Sequence, residues 1–383
     1  MSFEQVSSLL NSIHDQVTGE TTLAATNTQD FISVANSTLR AGYDPVLGAI
    51  TQMVNRTIFS NRPYRGKLGG LMVDNAKFGS ITRKLALVDK DFENNNEYAL
   101  IDGLSYDMYK VNKPEVLQLN YYGAVTWKRH YTIFRNQIDN AFRGPEELAS
   151  FLTMVTQNNA DVIEQAMESQ RRIILANFIA GKYAANNSVL HLLTEYNSAT
   201  GLSLTSTTVM QPQNFPGFVQ WVYARIEQIS SMMTERSQKF QINITGKAIN
   251  RHTPRQDQRV YLNSQVLSEF TARVLADVYH DNFLTLAETE GVNYWQAIDT
   301  PYEINIAPTY LDSTGAVTTA AAQNVKPVFG IIFDRDAMGM TIMDNYASTT
   351  PFNSEGDYWN QYFSFTGKWY SDFSEKAVVL LLD

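Results

Sequence analysis

The sequence predicts an α+β protein in which one long helix lies across a sheet, and three observations carry that prediction. From Pro145 to Gly181, apolar residues recur at three- and four-residue steps, the period of an amphipathic helix. Near the end of the chain, Phe363, Phe365, Trp369 and Phe373 fall on one parity. Tyr362, Ser364, Thr366, Lys368, Tyr370 and Asp372 fall on the other, which is the period of a half-buried strand. Between these regions helical and strand-like stretches alternate, the mark of an α/β unit.

Taken in order, residues 1–60 read as an N-terminal arm. The first 40 are rich in Ser, Thr, Asn and Gln with scattered Val, Leu and Ile, a composition that gives a weak helix or an arm but not a domain. Arg56, Arg62, Arg65 and Lys67 lie in a connector containing Gly and Pro. It suits either a solvated linker or a basic crossing over an acidic face of another copy. Residues 61–135 read as an extended loop with flanking strands. Ile81 to Val88 leads out to a polar tip that holds Lys90, Asp91, Glu93 and Asn94 to Asn96, and the chain returns through Tyr98 to Ile101 and Val116 to Leu119. A hairpin with apolar stems and a polar tip projects and packs its stems on something. An ordinary exposed hairpin in a compact domain is the alternative.

Residues 136–210 centre on the long helix. Pro145 suits the first helical position, Glu146 and Glu147 the positive end of the helix dipole, Arg171 and Arg172 the region near the negative end, and Gly181 a cap. Phe151, Val155 and Val162 on its stripe are the expected partners of Phe365, Trp369 and Phe373. Residues 211–323 hold helices from Phe215 to Met233 and Gln265 to Tyr279, with short strands at Tyr261-Leu262 and Tyr302 to Ile306. Lys247, Arg251, Arg255 and Arg259 make the densest basic run. It reads as a solvated or subunit-bridging loop, because no aromatic platform for a polynucleotide interleaves it. Residues 311–323 read as a surface loop. Residues 324–383 then return as strands, ending in Ala377 to Leu382, six apolar residues suited to a central strand covered on both faces. The Asp334-Arg335-Asp336 corner reads as a turn with an internal ion pair.

Composition bounds the function. A chain of 383 residues fits two to three domains of roughly 150 residues. With 44% hydrophobic and 12% aromatic residues, it can bury a large core. A net charge of −9 argues against a nucleic-acid grip, which needs Lys and Arg to neutralise phosphates. The absence of cysteine removes disulfides, thiolate metal sites and thiol nucleophiles. Residues 1–20 lack a secretory signal, and no run approaches the ~18 apolar residues of a membrane span. The five histidines never pair at metal-ligand spacing, and no phosphate-cradling, zincin or nucleophile-elbow motif occurs. His280-Asp281 reads as helix-end charge compensation. No catalytic residue, metal ligand or cofactor is assigned.

The terminal order VFGIIFDRDAMGMTIMDNY, an interval, then YWNQYFSFTGKWYSDFSEKAVVLLL resembles the carboxyl-terminal part of major capsid proteins with the Hong Kong 97-type fold. The likeness is greatest to those of small short-tailed, picovirus-like phages. YYGAVTWKRHYTIFRNQIDNAF, followed by the long helix, is similar to the same family's return from its extended loop into its spine helix. The likeness lies in the order and spacing of elements over most of residues 40–383. It implies a spine helix on an antiparallel sheet in a peripheral domain (136–210, rejoined by 324–383), an axial α/β domain (211–323), and an extended loop lying across the adjacent subunit. It further implies a shell subunit that forms pentamers and hexamers, without enzymatic activity, in an icosahedral or prolate phage head around DNA that it does not read by sequence. Scaffold, portal and decoration proteins are the further partners it admits, and assembly would take place in the host cytoplasm. The subunit-contact candidates are Arg56, Arg62, Arg65, Lys67, Lys90, Asp91, Glu93, Lys247, Arg251, Arg255 and Arg259. From the residues alone, a nanocompartment shell protein of the same fold and a soluble α/β enzyme stay open.

Overall fold

The computed structural model describes residues 3–19, 25–50, 68–72, 81–90, 92, 101–103, 105, 107–109, 111–122, 124–244, 247, 249–269 and 289–383. The N-terminal stretch is not an extended arm. Helices α1 (Phe3–Thr18) and α2 (Thr28–Arg40) pack on each other, and residues 43–50 are helical as well. Val6, Leu10 and Ile13 on α1 and Phe31, Val34, Ala35 and Thr38 on α2 are buried, at the three- and four-residue steps of a helical stripe. The scattered apolar residues are therefore sparse but in phase. Asn27 caps α2 by accepting from the backbone N–H of Gln29 and of Asp30, each at 2.9 Å. The Thr38 hydroxyl donates to the Val34 carbonyl and bonds the buried His14 ring at 3.0 Å.

Strands β1 (Ile81–Leu87) and β2 (Val116–Tyr122) form the antiparallel hairpin read from the sequence, in a register running from Ile81 opposite Tyr122 to Leu87 opposite Val116. Its tip at Asp91 and Glu93, and the return through 98–100, lie outside the described residues. Strand β3 (Val125–Phe134) follows, then α3 (Arg135–Ala141) and the long helix α4 (Pro145–Ala184). At 40 residues α4 is about 60 Å long. Pro145 stands in its first turn with Glu146 and Glu147, as expected. It runs three residues past Gly181, which is not a cap. A side chain at Gly181 would put its Cβ 2.7 Å from the Phe373 ring, so glycine there lets helix and aromatic ring close on each other.

After α4 come β4 (Val189–His191), α5 (Leu192–Thr200), α6 (Ser206–Val209) and α7 (Phe215–Thr234). Next are β5 (Gln258–Asn263), α8 (Ser264–Glu269) and β6 (Thr289–Val292). The remainder of the third predicted helix, and with it His280-Asp281, lies outside the described residues. Residues 304–325 hold four short strands: β7 (Ile304–Ile306), β8 (Thr309–Leu311), β9 (Val317–Thr319) and β10 (Gln323–Val325). The stretch 311–323, expected to be a loop, thus includes a hairpin partner for β8 and a strand that pairs with β7. Four strands complete the chain: β11 (Val328–Asp334), β12 (Met338–Thr349), β13 (Tyr358–Ser371) and β14 (Ala377–Leu381).

The returning strands divide between two sheets. β11 and β14 are central in a five-stranded sheet of order β4-β14-β11-β5-β6, whereas β12 and β13 join β3 in a three-stranded antiparallel sheet. Every residue of β11 and β14 is buried. Val379 and Leu381 pack with Phe178 and Ile179 of α4, while Val378 and Leu380 pack with Phe218 and Val222 of α7. A strand covered on both faces explains the unbroken apolar run. In the three-stranded sheet, Ile133, Trp359 and Phe363 share a core with Leu148 and Phe151 of α4 and with α1 and α2.

Phe151, Phe365 and Phe373 are buried, but not against one another: Phe151 shares a core with Phe363, Phe373 stacks on Phe178 further along α4, and Phe365 stacks on Trp127 of β3. Val155 is a residue whose side chain lies outside the described set, and Val162 is exposed. Trp369 departs from the prediction. It is 37% exposed, whereas Lys368 on the opposite parity is only 4% exposed. The hairpin is the cause, because it covers the even-numbered face at this end of β13: Tyr121 packs on Tyr370 at 5.6 Å and Lys84 pairs with Asp372. Trp369 rests on Trp127, ring centres 6.0 Å apart, with its outer edge in solvent. Trp369→Ala is accordingly expected to fold and to cost about 2 kcal/mol. Lys368→Ala should cost about 1–2 kcal/mol through its packed stem, and urea denaturation of both variants measures the pair.

Candidate assembly interface

The hairpin has two unlike faces, because side chains alternate along each strand. Lys84, Ala86, Leu117, Leu119 and Tyr121 are half-buried toward the body of the chain. Leu85 and Leu87 point the other way, 65% and 62% exposed, with the exposed Val116 opposite Leu87, and Arg83, Gln118, Asn120 and Tyr122 continue that face toward the base of the hairpin. Apolar side chains grouped on one face of a projecting hairpin mark a surface built to be covered.

Four ion pairs fasten the inner face and the far end of the stems. Lys84 lies 2.8 Å from Asp372 and 2.5 Å from Glu375, and its ammonium donates to the Asp336 carbonyl at 3.3 Å. Asp89, just past β1, takes Arg236 at 2.5 Å and the backbone N–H of Asn250 at 2.7 Å. Glu115, just before β2, pairs with Lys247. The last two pairs are largely solvated, and such pairs contribute about 0–1 kcal/mol. The Lys84 pair is different because the carboxylate of Asp372 is fully buried. Removing one member of a buried pair costs about 3–5 kcal/mol.

The acidic half of this cluster comes from the turn after β13. Burial alone would push the Asp372 carboxyl up, but the Lys84 ammonium, Ser374 and Arg251 together hold it below the usual carboxylate range. For Glu375 burial prevails over the same cations and the carboxyl is raised. Burial works against the charge of Lys84, yet the two carboxylates raise it above its ordinary value. Arg251 also bonds Glu375, at 2.5 Å, and Ser374, at 3.1 Å.

Several contact candidates named from the sequence therefore have counter-charges inside the chain. Lys247 has Glu115, Arg251 has Glu375 and Arg255 has Glu227 at 2.7 Å. Arg259 is half-buried on β5, beside Glu290, whose carboxyl is raised by burial with Tyr261 and the Arg259 charge offsetting part of that effect. Lys90 is exposed. Arg56, Arg62, Arg65, Lys67, Asp91 and Glu93 lie outside the described residues. The 334–336 corner is a turn as read: Asp334 accepts from Thr253 and from the Asp336 N–H, and Arg335 lies 3.8 Å from Asp336. Sequence reasoning missed Lys84, Asp372 and Glu375. The available signal was Asp-Phe-Ser-Glu-Lys directly before Ala377 to Leu382, since charges abutting a doubly covered strand must find partners.

Among the described residues no cluster of His, Asp and Glu could hold a metal ion, and no helix is long and apolar enough to cross a membrane. The arrangement presents packing surfaces and ion pairs. A model of the Phi29-like phage major capsid protein family matches residues 7–380. The chain belongs to that family. Two solved structures share its fold over most of their length: a chain of the capsid of Staphylococcus phage Andhra, and one from the structure of head fiber and inner core protein gp22 of native bacteriophage P68. Each aligns with a TM-score of 0.54 at 11% identity, covering 83% of this chain and 85% of its own. No curated protein matches the chain in sequence. A major capsid protein is a shell-forming structural component of the virion, and its fold here is the Hong Kong 97-type expected from the order of its elements. The nanocompartment and soluble-enzyme readings give way to that family.

Proposed function

We propose that this capsid protein assembles into pentamers and hexamers that close an icosahedral or prolate head around phage DNA, each copy laying its β1–β2 hairpin across the next. The observation that carries the reading is the outer face of the hairpin, where Leu85, Leu87 and Val116 stand exposed together while the inner face is seated on the body by packing and by Lys84. A contact repeated around a closed ring can gain its strength from buried area alone, about 800 Å² per partner in a stable interface. The acidic chain encloses DNA without gripping it by sequence. Scaffold, portal and decoration proteins remain its natural partners, and the host cytoplasm, reducing and compatible with a chain free of cysteine, the place of assembly. Arg56, Arg62, Arg65 and Lys67 supply the charge that a neighbouring acidic copy would meet, because Lys247, Arg251 and Arg255 already have internal partners.

The double substitution Leu85→Asp, Leu87→Asp tests the hairpin. It should leave a folded, soluble chain, because both side chains already face solvent, and should abolish closed particles in electron micrographs. Normal particles from this variant would remove the hairpin from the interface.

A further inference from the structure

We infer that the cleft along α4 from Asp161 to Ile173 is the seat for the outer face of another copy's β1–β2 hairpin, with Leu85 and Leu87 set on Ile173 and Ile306 and Arg83 on Asp161. The inference rests on the reading that the hairpin crosses a neighbouring copy, and it names the surface the hairpin meets. Within one chain the two surfaces cannot touch. The hairpin covers the even-numbered face of β13, through Tyr121 on Tyr370 and Lys84 on Asp372, whereas α4 packs on the odd-numbered face, where Leu148 and Phe151 share a core with Phe363. A contact between two unlike patches runs head to tail, the kind that generates a ring when its rotation closes.

The cleft has a volume of about 740 Å³ and lies between α4 and the stretch from Tyr294 to Ile306. Ile173 lines it and is 47% exposed, an apolar side chain left uncovered by the single chain. Most charge along this part of α4 is already paired. Glu164 and Glu168 hold Arg171 and Arg172, and the Arg172 guanidinium lies 3.8 Å from the centre of the Tyr294 ring. Asp161 is left over, half-buried and with no counter-charge among the described residues. The hairpin carries the complement in the same order. Arg83, Leu85 and Leu87 share its outer face at alternate positions, and Arg83 is exposed, again with no counter-charge among the described residues. Along β1, Arg83 and Leu87 are about 13 Å apart at ~3.3 Å per residue. Along α4, Asp161 and Ile173 are about 18 Å apart at ~1.5 Å per residue. The long arginine side chain spans the difference, so the cation reaches Asp161 when Leu87 sits on Ile173. An apolar match at one end and an opposite-charge match at the other set the register of the contact.

Charge reversal in the full-length chain tests the seat. Asp161→Arg and Arg83→Asp should each fold, because both side chains already meet solvent, and each should cut the yield of closed particles in electron micrographs about tenfold or more, since like charges then face each other. The double variant should restore the yield to within about twofold of wild type. Because the chain has no cysteine, copies carrying Leu87→Cys mixed with copies carrying Ile173→Cys should form disulfide dimers under mild oxidation, while neither variant alone does. Single reversals that assemble normally, a double variant no better than the singles, or no mixed dimer would each overturn the seat. If Leu85→Asp, Leu87→Asp abolishes particles while both reversals assemble normally, the hairpin crosses a neighbour on some other surface and the seat falls alone. If that leucine variant also assembles normally, the hairpin reading falls with it.

Discussion

Replacing Phe373 with alanine is expected to cost about 3–5 kcal/mol, the loss of a buried aromatic ring plus the cavity it leaves. The ring stacks on Phe178 of α4 with centres 4.7 Å apart and meets Tyr310 edge-on at 6.1 Å. It also fills the space that Gly181 leaves open on the helix, so a single side chain joins α4 to the turn carrying Asp372 and Glu375. A loss of that size is a large share of the roughly 5–15 kcal/mol that stabilises a domain. Adding Gly181→Ala to Phe373→Ala places a methyl in the vacated volume and should recover part of the loss, whereas Gly181→Ala alone should destabilise by overpacking. Urea unfolding of the unassembled chain gives all three values. A Phe373→Ala variant within 1 kcal/mol of wild type would show that this contact does not hold helix and sheet together.

The second large effect is a dependence on pH. Lys182, near the end of α4, is fully buried and has no carboxylate within ion-pair distance among the described residues. Burial pushes its amine down to about 7, with Asp372 and Glu375 offsetting part of that effect. An unfolded lysine stays protonated to about pH 10.4, so between about 7 and 10 the unfolded chain binds the extra proton and stability rises with pH. The rise attributable to Lys182 is up to about 5 kcal/mol, and below pH 7 the whole penalty of a buried ammonium is present. Lys182→Met should remove that slope and stabilise the chain most near neutral and acidic pH. The carbonyls of Phe240 and Phe373, which accept from Lys182, keep bonds from the N–H groups of Ala377 and Ile242, so the substitution orphans neither. Parallel stability curves for wild type and Lys182→Met across pH 6–10 would contradict this account.

Most of the architecture was legible because it follows from periodicity. The Pro145 start of α4, the stems of the hairpin and the doubly covered β14 each depend on local pattern and were read correctly. Trp369 was misread because parity says which residues share a face but not which face is covered, and here a hairpin from 250 residues upstream in space covers the even side. The N-terminal helices were underread because their apolar residues are few, and phase, not abundance, is what buries Leu10 and Phe31. Of the anchoring cluster, only the need of Asp372 and Glu375 for partners was legible, from charges abutting the apolar end of the chain; the identity of those partners was not. Lys84, Arg251, Asp372 and Glu375 come from separate elements, and spacing along the chain carries no trace of a contact made by folding.

The strand order β4-β14-β11-β5-β6 also bears on how quickly finished subunits appear. Val189 pairs with Val379, and β11 pairs with both Val378 and Val260, so most of that sheet can close only after long loops have been drawn together. The entropy of closing such loops is lost before any contact repays it, which makes pairings of this kind slow. The helices need only near neighbours and form early, whereas the β1–β2 hairpin, a two-stranded unit that seats on Tyr370, Asp372 and Glu375, becomes stable only once the terminal strands are in place. The exposed outer face of the hairpin is thus presented in its final place only by a chain whose last strands have paired, so a half-folded copy offers its neighbours no finished contact.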